Sequence, residues 1–276
     1  MKFGFVMPPS AMFDMAQFSK EAEEAGWDGI FAAHAMWGTD TMLCLTVAAV
    51  HTERIRLGTM LTPLSTMRPW KLAMEVATLD NLSNGRTILT VGMGAPDIGF
   101  AEFGEETDLR TRAELVDEGI DIMTKLWRQE AFEHKGKHYQ IDLKSRNNWI
   151  CQPLQQPHPP LWVVGAWPRP KSMGRALRCT GLVPCIKEKG QRGRPATPDE
   201  VSEMRSWLIE RDTNMSSYDI VIEGMTYGQS TAQSQDTIQL WVDVGATWWI
   251  ESMWGVTSSE KWWEKMRSGP PRGAHS

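Results

Sequence analysis

A (β/α)8 barrel is the fold class this sequence predicts, and three observations predict it. Short apolar runs alternate with helix-length stretches eight times along the chain. Eight such units in about 250 residues are what a closed ring of parallel strands requires. Residues 55–94 show the unit most fully: an apolar strand, a helix entered through Arg68-Pro69, a stop at Asn84-Gly85, and a second apolar strand ending in Gly92-Met93-Gly94. Strands joined by a helix run parallel, with the crossover on one face. The alternative with the same alternation is a doubly wound open sheet. Gly92-Met93-Gly94 continues into Ala95-Pro96-Asp97 rather than a helix carrying a third glycine, so the dinucleotide fingerprint that would favour the open sheet fails.

Taken in order, residues 2–7 form the first strand, closed by Pro8-Pro9, and 12–25 space Met12, Met15, Ala16, Phe18, Ser19 and Ala22 as a helix before Gly26. Residues 28–33 are the second strand, followed by a loop holding His34, Trp37 and Gly38, and 41–51 are an apolar, buried helix. Strand 55–61, helix 68–82 and strand 87–91 come next. Asn84-Gly85 ends that helix because both residues tolerate the left-handed conformation. A long loop leads to an amphipathic helix over 112–127, with Leu115, Ile120, Ile122, Met123 and Leu126 inward. Residues 132–141 alternate around Gly136 and predict a small hairpin inserted into the repeat. After a connector at 147–160 come strand 161–165, helix 169–178 and a short strand at 181–184. The charged, Gly/Pro-rich stretch 187–198 predicts a mobile lid. Thr197 caps the following helix, with Pro198 in its first turn and Asp199 and Glu200 complementing its dipole. Strand 219–224, helix 231–244, strand 247–251 and helix 261–266 complete one domain over 1–268, and a frayed tail is expected over 269–276.

With 276 residues and 41% hydrophobic content the chain buries a large core. A net charge of -5 without a basic stripe argues against nucleic acid and anionic membrane, and no run approaches the roughly 20 apolar residues of a membrane span. Cys44, Cys151, Cys179 and Cys185 have no metal-ligand spacing, and a chain this long needs no disulfide staples, so a cytoplasmic location is expected. Fourteen tryptophans and 17 methionines against three tyrosines supply core residues and walls for a flat ligand.

In a barrel, function gathers at the C-terminal strand ends. Those positions read Met7-Pro8, Ala33-His34, Met60-Leu61-Thr62, Gly92-Met93-Gly94, Gly165-Ala166-Trp167, Pro184-Cys185, Gly224 and Glu251. They hold no carboxylate pair, no Ser/His/Asp set and no His/Cys cluster, which argues against hydrolysis and against a metal site. His134 and His138 flank Gly136 and read as solvated turn residues. An apolar rim with one histidine suits a cofactor that brings its own reactivity. Gly165-Ala166 either lets backbone N–H groups meet a phosphate or serves tight packing.

The run TERIRLGTMLTPLSTMRPWKLAMEVATLDNLSNGRTILTVGMGAP resembles the signature of the bacterial luciferase-like oxidoreductases, (β/α)8 barrels that use FMN or the deazaflavin F420. AEEAGWDGIFAAH before it, and EFG, KLW, FEHKGKHYQI and QPHPPLWVVGA after it, extend the resemblance over roughly residues 1–185, and the C-terminal third looks like a compact variant. The resemblance implies that His34 faces flavin or substrate as the catalytic residue, while Ala33 stands where relatives carry an acid. It places Met60 and Leu61 at a non-prolyl cis peptide behind the ring, Gly94, Ala95 and Glu102 along the ring's border, Gly165 and Ala166 at the phosphate, and Arg112 and Glu118 in structural roles. It implies an FMN-dependent monooxygenase acting with reduced FMN on a small organic substrate held against Trp37, Met93, Trp167 or Trp254, with a separate flavin reductase and a homodimer as partners. An F420-dependent reductase or dehydrogenase is the alternative, weakened by Ala33. A non-catalytic flavin-binding protein is the second.

Overall fold

The computed structural model describes residues 1–7, 13–34, 36–95, 97–145, 151–187 and 193–272. In chain order the elements are β1 (Lys2–Val6), α1 (Met15–Glu24), β2 (Gly29–Ala32), α2 (Thr41–His51), β3 (Arg56–Thr59), β4 (Thr62–Pro63), α3 (Pro69–Leu82), β5 (Thr87–Gly92), α4 (Leu109–Trp127), β6 (Glu133–Lys135), β7 (Gln140–Asp142), β8 (Leu161–Trp167), α5 (Pro170–Ala176), β9 (Gly181–Ile186), α6 (Pro198–Ile209), β10 (Asp219–Gly224), α7 (Thr231–Asp243), β11 (Trp248–Glu251) and α8 (Ser259–Arg267). Strands β3-β2-β1-β11-β10-β9-β8-β5 are hydrogen-bonded in that order, and β3 also pairs with β5, so the ring closes as the expected (β/α)8 barrel. The chain divides into two compact units.

The first unit is Met1–Phe31, Arg54–Arg56 and Trp162–Ser276. Its core is aromatic: Phe5 meets Phe18, Trp27 and Trp262 with ring centroids 5.9, 5.0 and 6.0 Å away, and Phe31, Trp162 and Trp248 form a second cluster. The buried indole of Trp27 donates to the Met266 carbonyl at 2.8 Å, giving its one polar atom a partner. Helix α6 is capped by Thr197 as expected, and Glu200, expected only to complement the dipole, also closes a capping box with it. Strand β8 runs past the expected end at residue 165, with Gly165, Ala166 and Trp167 paired to Pro184, Cys185 and Ile186 of β9. The tail expected to fray is held as far as Arg272, whose guanidinium donates to Asp28 Oδ2 at 2.8 Å and to the Gly26 carbonyl at 3.0 Å. Residues 273–276 lie outside the described residues, as do 188–192 of the expected lid, where only the flanks are described: Ile186 and Arg194 exchange backbone hydrogen bonds at 2.9 and 3.0 Å.

The second unit is Ala32–Glu53 and Leu57–Leu161. Helix α3 stops as expected, with Asn84 at φ 56° and Gly85 at φ 77°. Buried Asp80, just before that stop, accepts from the Gln155 backbone at 2.9 Å and from its side-chain amide at 2.7 Å, tying the connector to the helix. Helix α4 starts three residues before the expected 112, because Asp108 caps it by accepting from Thr111 N–H at 2.8 Å.

The hairpin of β6 and β7 is present, but its histidines correct the expectation of solvated turn residues. His134 and His138 each sit 3.0 Å from a carboxylate of α4, Glu118 and Glu114, and their side chains are only 12% and 16% exposed. Glu118 also takes the backbone N–H groups of Lys137, His138 and Tyr139. Gly136 lies so close to Glu118 that an added Cβ would fall 1.9 Å from Oε2, so the glycine makes room for the carboxylate. Glu118 thereby has the structural role implied for it.

Candidate active site

Three strand ends of the second unit carry the residues expected to act. His34 follows β2, two residues beyond its end. It is half-buried, and burial pulls its pKa below the ordinary 6.5, while the negative charges of Asp40 and Glu75 pull the other way. Asp40 is positioned by its second task, capping α2 through Leu43 N–H at 2.8 Å. Glu75 reaches from α3 with Oε1 on Lys71 and Oε2 buried without a partner. After β3 the Met60–Leu61 peptide is cis, at the step where the resemblance placed it. After β5 come half-buried Met93 and Gly94 and exposed Ala95. Gly94 has φ 75°, and a Cβ there would stand 2.8 Å from Pro63 and 2.9 Å from Ile98. Both constraints demand glycine.

The loops after β2 and β5 are latched to each other. Met36 N–H donates to the Ile98 carbonyl at 3.2 Å, and the Trp37 indole covers Gly99, where a Cβ would fall 2.4 Å from it. Trp37 and Phe103, 51% and 58% exposed, leave two aromatic faces open with centroids 6.2 Å apart. Glu102, expected along the ring's border, is exposed. Ser65 Oγ and Thr90 Oγ1 are buried without partners. Among the described residues no three His, Cys, Asp or Glu side chains gather as a metal site. One half-buried histidine, with the exposed rings of Trp37 and Phe103 on the latched loops, fits a cofactor of the flavin type, which needs shape and few polar contacts.

In the first unit, Gly165 and Ala166 lie inside β8 rather than at its mouth. A Cβ on Gly165 would fall 2.3 Å from Leu182 and 3.1 Å from Met173, so the close approach there is made by side chains. Ala166 N–H donates to Ser172 Oγ at 2.9 Å. Trp167 is half-buried with its ring 6.4 Å from Trp207, and Trp254, 51% exposed, donates its indole N–H to Glu223. Sequence reasoning missed Glu75 and Phe103. Glu75 reads as a surface residue between Met74 and Val76, and Phe103 as one residue of an unstructured loop; only the fold brings their loops and helices together.

The closed ring of parallel strands defines a (β/α)8-barrel protein. The model of the luciferase-like monooxygenase family matches residues 3–227, and the chain belongs to that family. It is 28% identical over 213 residues to an F420-dependent glucose-6-phosphate dehydrogenase of Amycolatopsis mediterranei, covering 67% of this chain and 62% of that protein. It is 30% identical over 160 residues to the oxygenase component of a flavin-dependent trigonelline monooxygenase of Acinetobacter baylyi, covering 56% and 43%. The matched segments thus span less than two thirds of these relatives. The fold is that of the coenzyme F420-dependent tetrahydromethanopterin reductase from Methanopyrus kandleri, with a TM-score of 0.73 at 16% identity over 97% of this chain and 96% of that one. No helix among the described residues is long and apolar enough to cross a membrane.

Proposed function

We propose that the protein is a cytoplasmic oxidoreductase that uses reduced FMN to oxygenate a small organic substrate. The observation that carries this reading is His34: a half-buried histidine at the end of β2, whose pKa burial lowers, in a chain of this family. Bound reduced flavin supplies the electrons and activates oxygen. Met60, Leu61, Gly94 and Ala95 border the ring in this reading, and Trp37 and Met93 form substrate walls in the same unit. In the other unit Trp167 and Trp254 are the substrate walls and Gly165-Ala166 the phosphate turn, where a phosphate would have to replace Ser172 Oγ on the Ala166 N–H. His34 holds or moves a proton at a ring nitrogen. A separate flavin reductase is the partner, as the relative described as an oxygenase component supports.

Use of F420 for hydride transfer is the second reading, favoured by the F420-dependent relative and opposed by Ala33, which offers no acid beside His34. Titration of the purified protein with FMNH2 and with reduced F420, followed by absorbance and oxygen uptake, separates the two. Saturable FMNH2 binding with oxygen uptake supports the first. Binding of reduced F420 alone replaces it with the second, and binding of neither sinks both.

A further inference from the structure

One buried guanidinium holds the segment that follows β5. Arg112 sits on the first turn of α4 and is 2% exposed. Its Nη2 donates to the Met93 carbonyl and, at 3.1 Å, to the Gly94 carbonyl. Its Cζ lies 3.5 Å from the centre of the Phe100 ring. Nε is buried without a partner, and no carboxylate of the described residues pairs with the group; burial lowers its pKa, and Glu106 opposes that only at longer range.

Burying a cation without an ion pair is unfavourable unless other contacts offset it. Two carbonyls and a ring face are the contacts present, and all three belong to residues 93–100. The same segment carries the left-handed Gly94 between Pro63 and Ile98 and the Ile98 carbonyl that receives Met36 N–H from the His34 loop. A lysine at 112 would keep the charge but lose the delocalised guanidinium, which serves both carbonyls through Nη2 while its Cζ stays 3.5 Å from the Phe100 ring centre.

We infer that Arg112 is a positioning residue, which fixes Met93, Gly94 and Phe100 beside the His34 strand end. Its consequence for flavin rests on the function proposed above; the fixing of the segment does not.

Hydrogen exchange of the cofactor-free protein tests it, comparing wild type with Arg112→Lys and with Phe100→Leu, which removes the ring but leaves the carbonyl bonds. Arg112→Lys is expected to speed exchange across 94–104 by about tenfold while β1 and β11 stay protected, with a smaller local rise in Phe100→Leu. The Kd for FMNH2 should weaken about tenfold in Arg112→Lys at an unchanged melting temperature. Unchanged exchange over 94–104 in both variants overturns the inference. Should Arg112→Lys loosen the whole chain, Phe100→Leu decides: a local rise supports the assignment and no rise overturns it. Local loosening in a protein whose wild type binds no flavin leaves the positioning role intact and refutes only the function.

Discussion

Glu118 Oε2 lies 3.0 Å from His134 Nε2, and the same carboxylate receives three consecutive backbone N–H groups from Lys137 to Tyr139. One side chain of α4 therefore holds the inserted hairpin at its turn. Glu118→Ala leaves those donors without their acceptor, and the expected cost is about 1–3 kcal/mol. Urea unfolding should show a lower midpoint at an unchanged slope. Glu118→Gln, which keeps one acceptor oxygen, should lose less. A shift under about half a kcal/mol for the alanine variant would show that the hairpin is held elsewhere.

The same clamp carries a pH dependence. Hydrogen bonds from Lys137 and His138 hold the Glu114 carboxyl down to about 2. Burial pushes Glu118 up, but His134 and the three N–H groups outweigh it and leave it below the ordinary 4.5. Folded values below the unfolded ones mean that stabilisation is complete above about pH 4.5 and is lost as pH falls toward 2. Amide exchange at Lys137, His138 and Tyr139, corrected for the intrinsic pH dependence, should lose protection across that window before β1 does. Protection that is flat from pH 5 to 2 contradicts this.

Much of the frame was legible because local chemistry fixed it. Asn84-Gly85 could only stop a helix, and both residues take the left-handed conformation. Thr197 caps α6 as its type and the following proline imply. What stayed hidden depended on distant partners. The end of β8 is set by pairing with β9 as far as Ile186, which the glycine at 165 did not reveal. His134 and His138 looked solvated because Glu114 and Glu118 are remote in sequence and reach them only across α4. His34 stood out as the one histidine among the strand ends, while the cis step at Met60–Leu61 came only through the family resemblance, since two apolar residues carry no signal of their own.

Asp80 and Gln155 define another local test. The carboxylate is fully buried and takes two N–H groups of Gln155, whose amide also donates to the Thr87 carbonyl at 2.8 Å. Asp80→Ala strands the half-buried Gln155 donors between α3, β5 and the connector, with an expected loss of about 1–3 kcal/mol. Asp80→Asn retains one acceptor and should fall in between. Chemical denaturation measures both, and an alanine variant as stable as wild type would show that the connector is fixed without this residue.

His34 is the residue on which the proposed chemistry turns, and its ionisation can be followed without any cofactor. Burial disfavours the imidazolium more than Asp40 and Glu75 favour it, so the ring should titrate below 6.5 and be neutral at pH 7. A depressed folded value adds stability that is present above 6.5 and lost as pH falls through the folded value. A histidine NMR titration of the cofactor-free protein reads this directly, with His34→Gln assigning the resonance. Glu75→Gln removes one of the two opposing charges and should lower the value further. With reduced FMN bound, His34→Gln should cut kcat by about 10²–10⁴-fold if the ring moves a proton in the slow step, and leave flavin affinity within about threefold. A ring that titrates above 6.5, or a glutamine variant with full turnover, would remove His34 from the chemistry and leave it a packing residue at the end of β2.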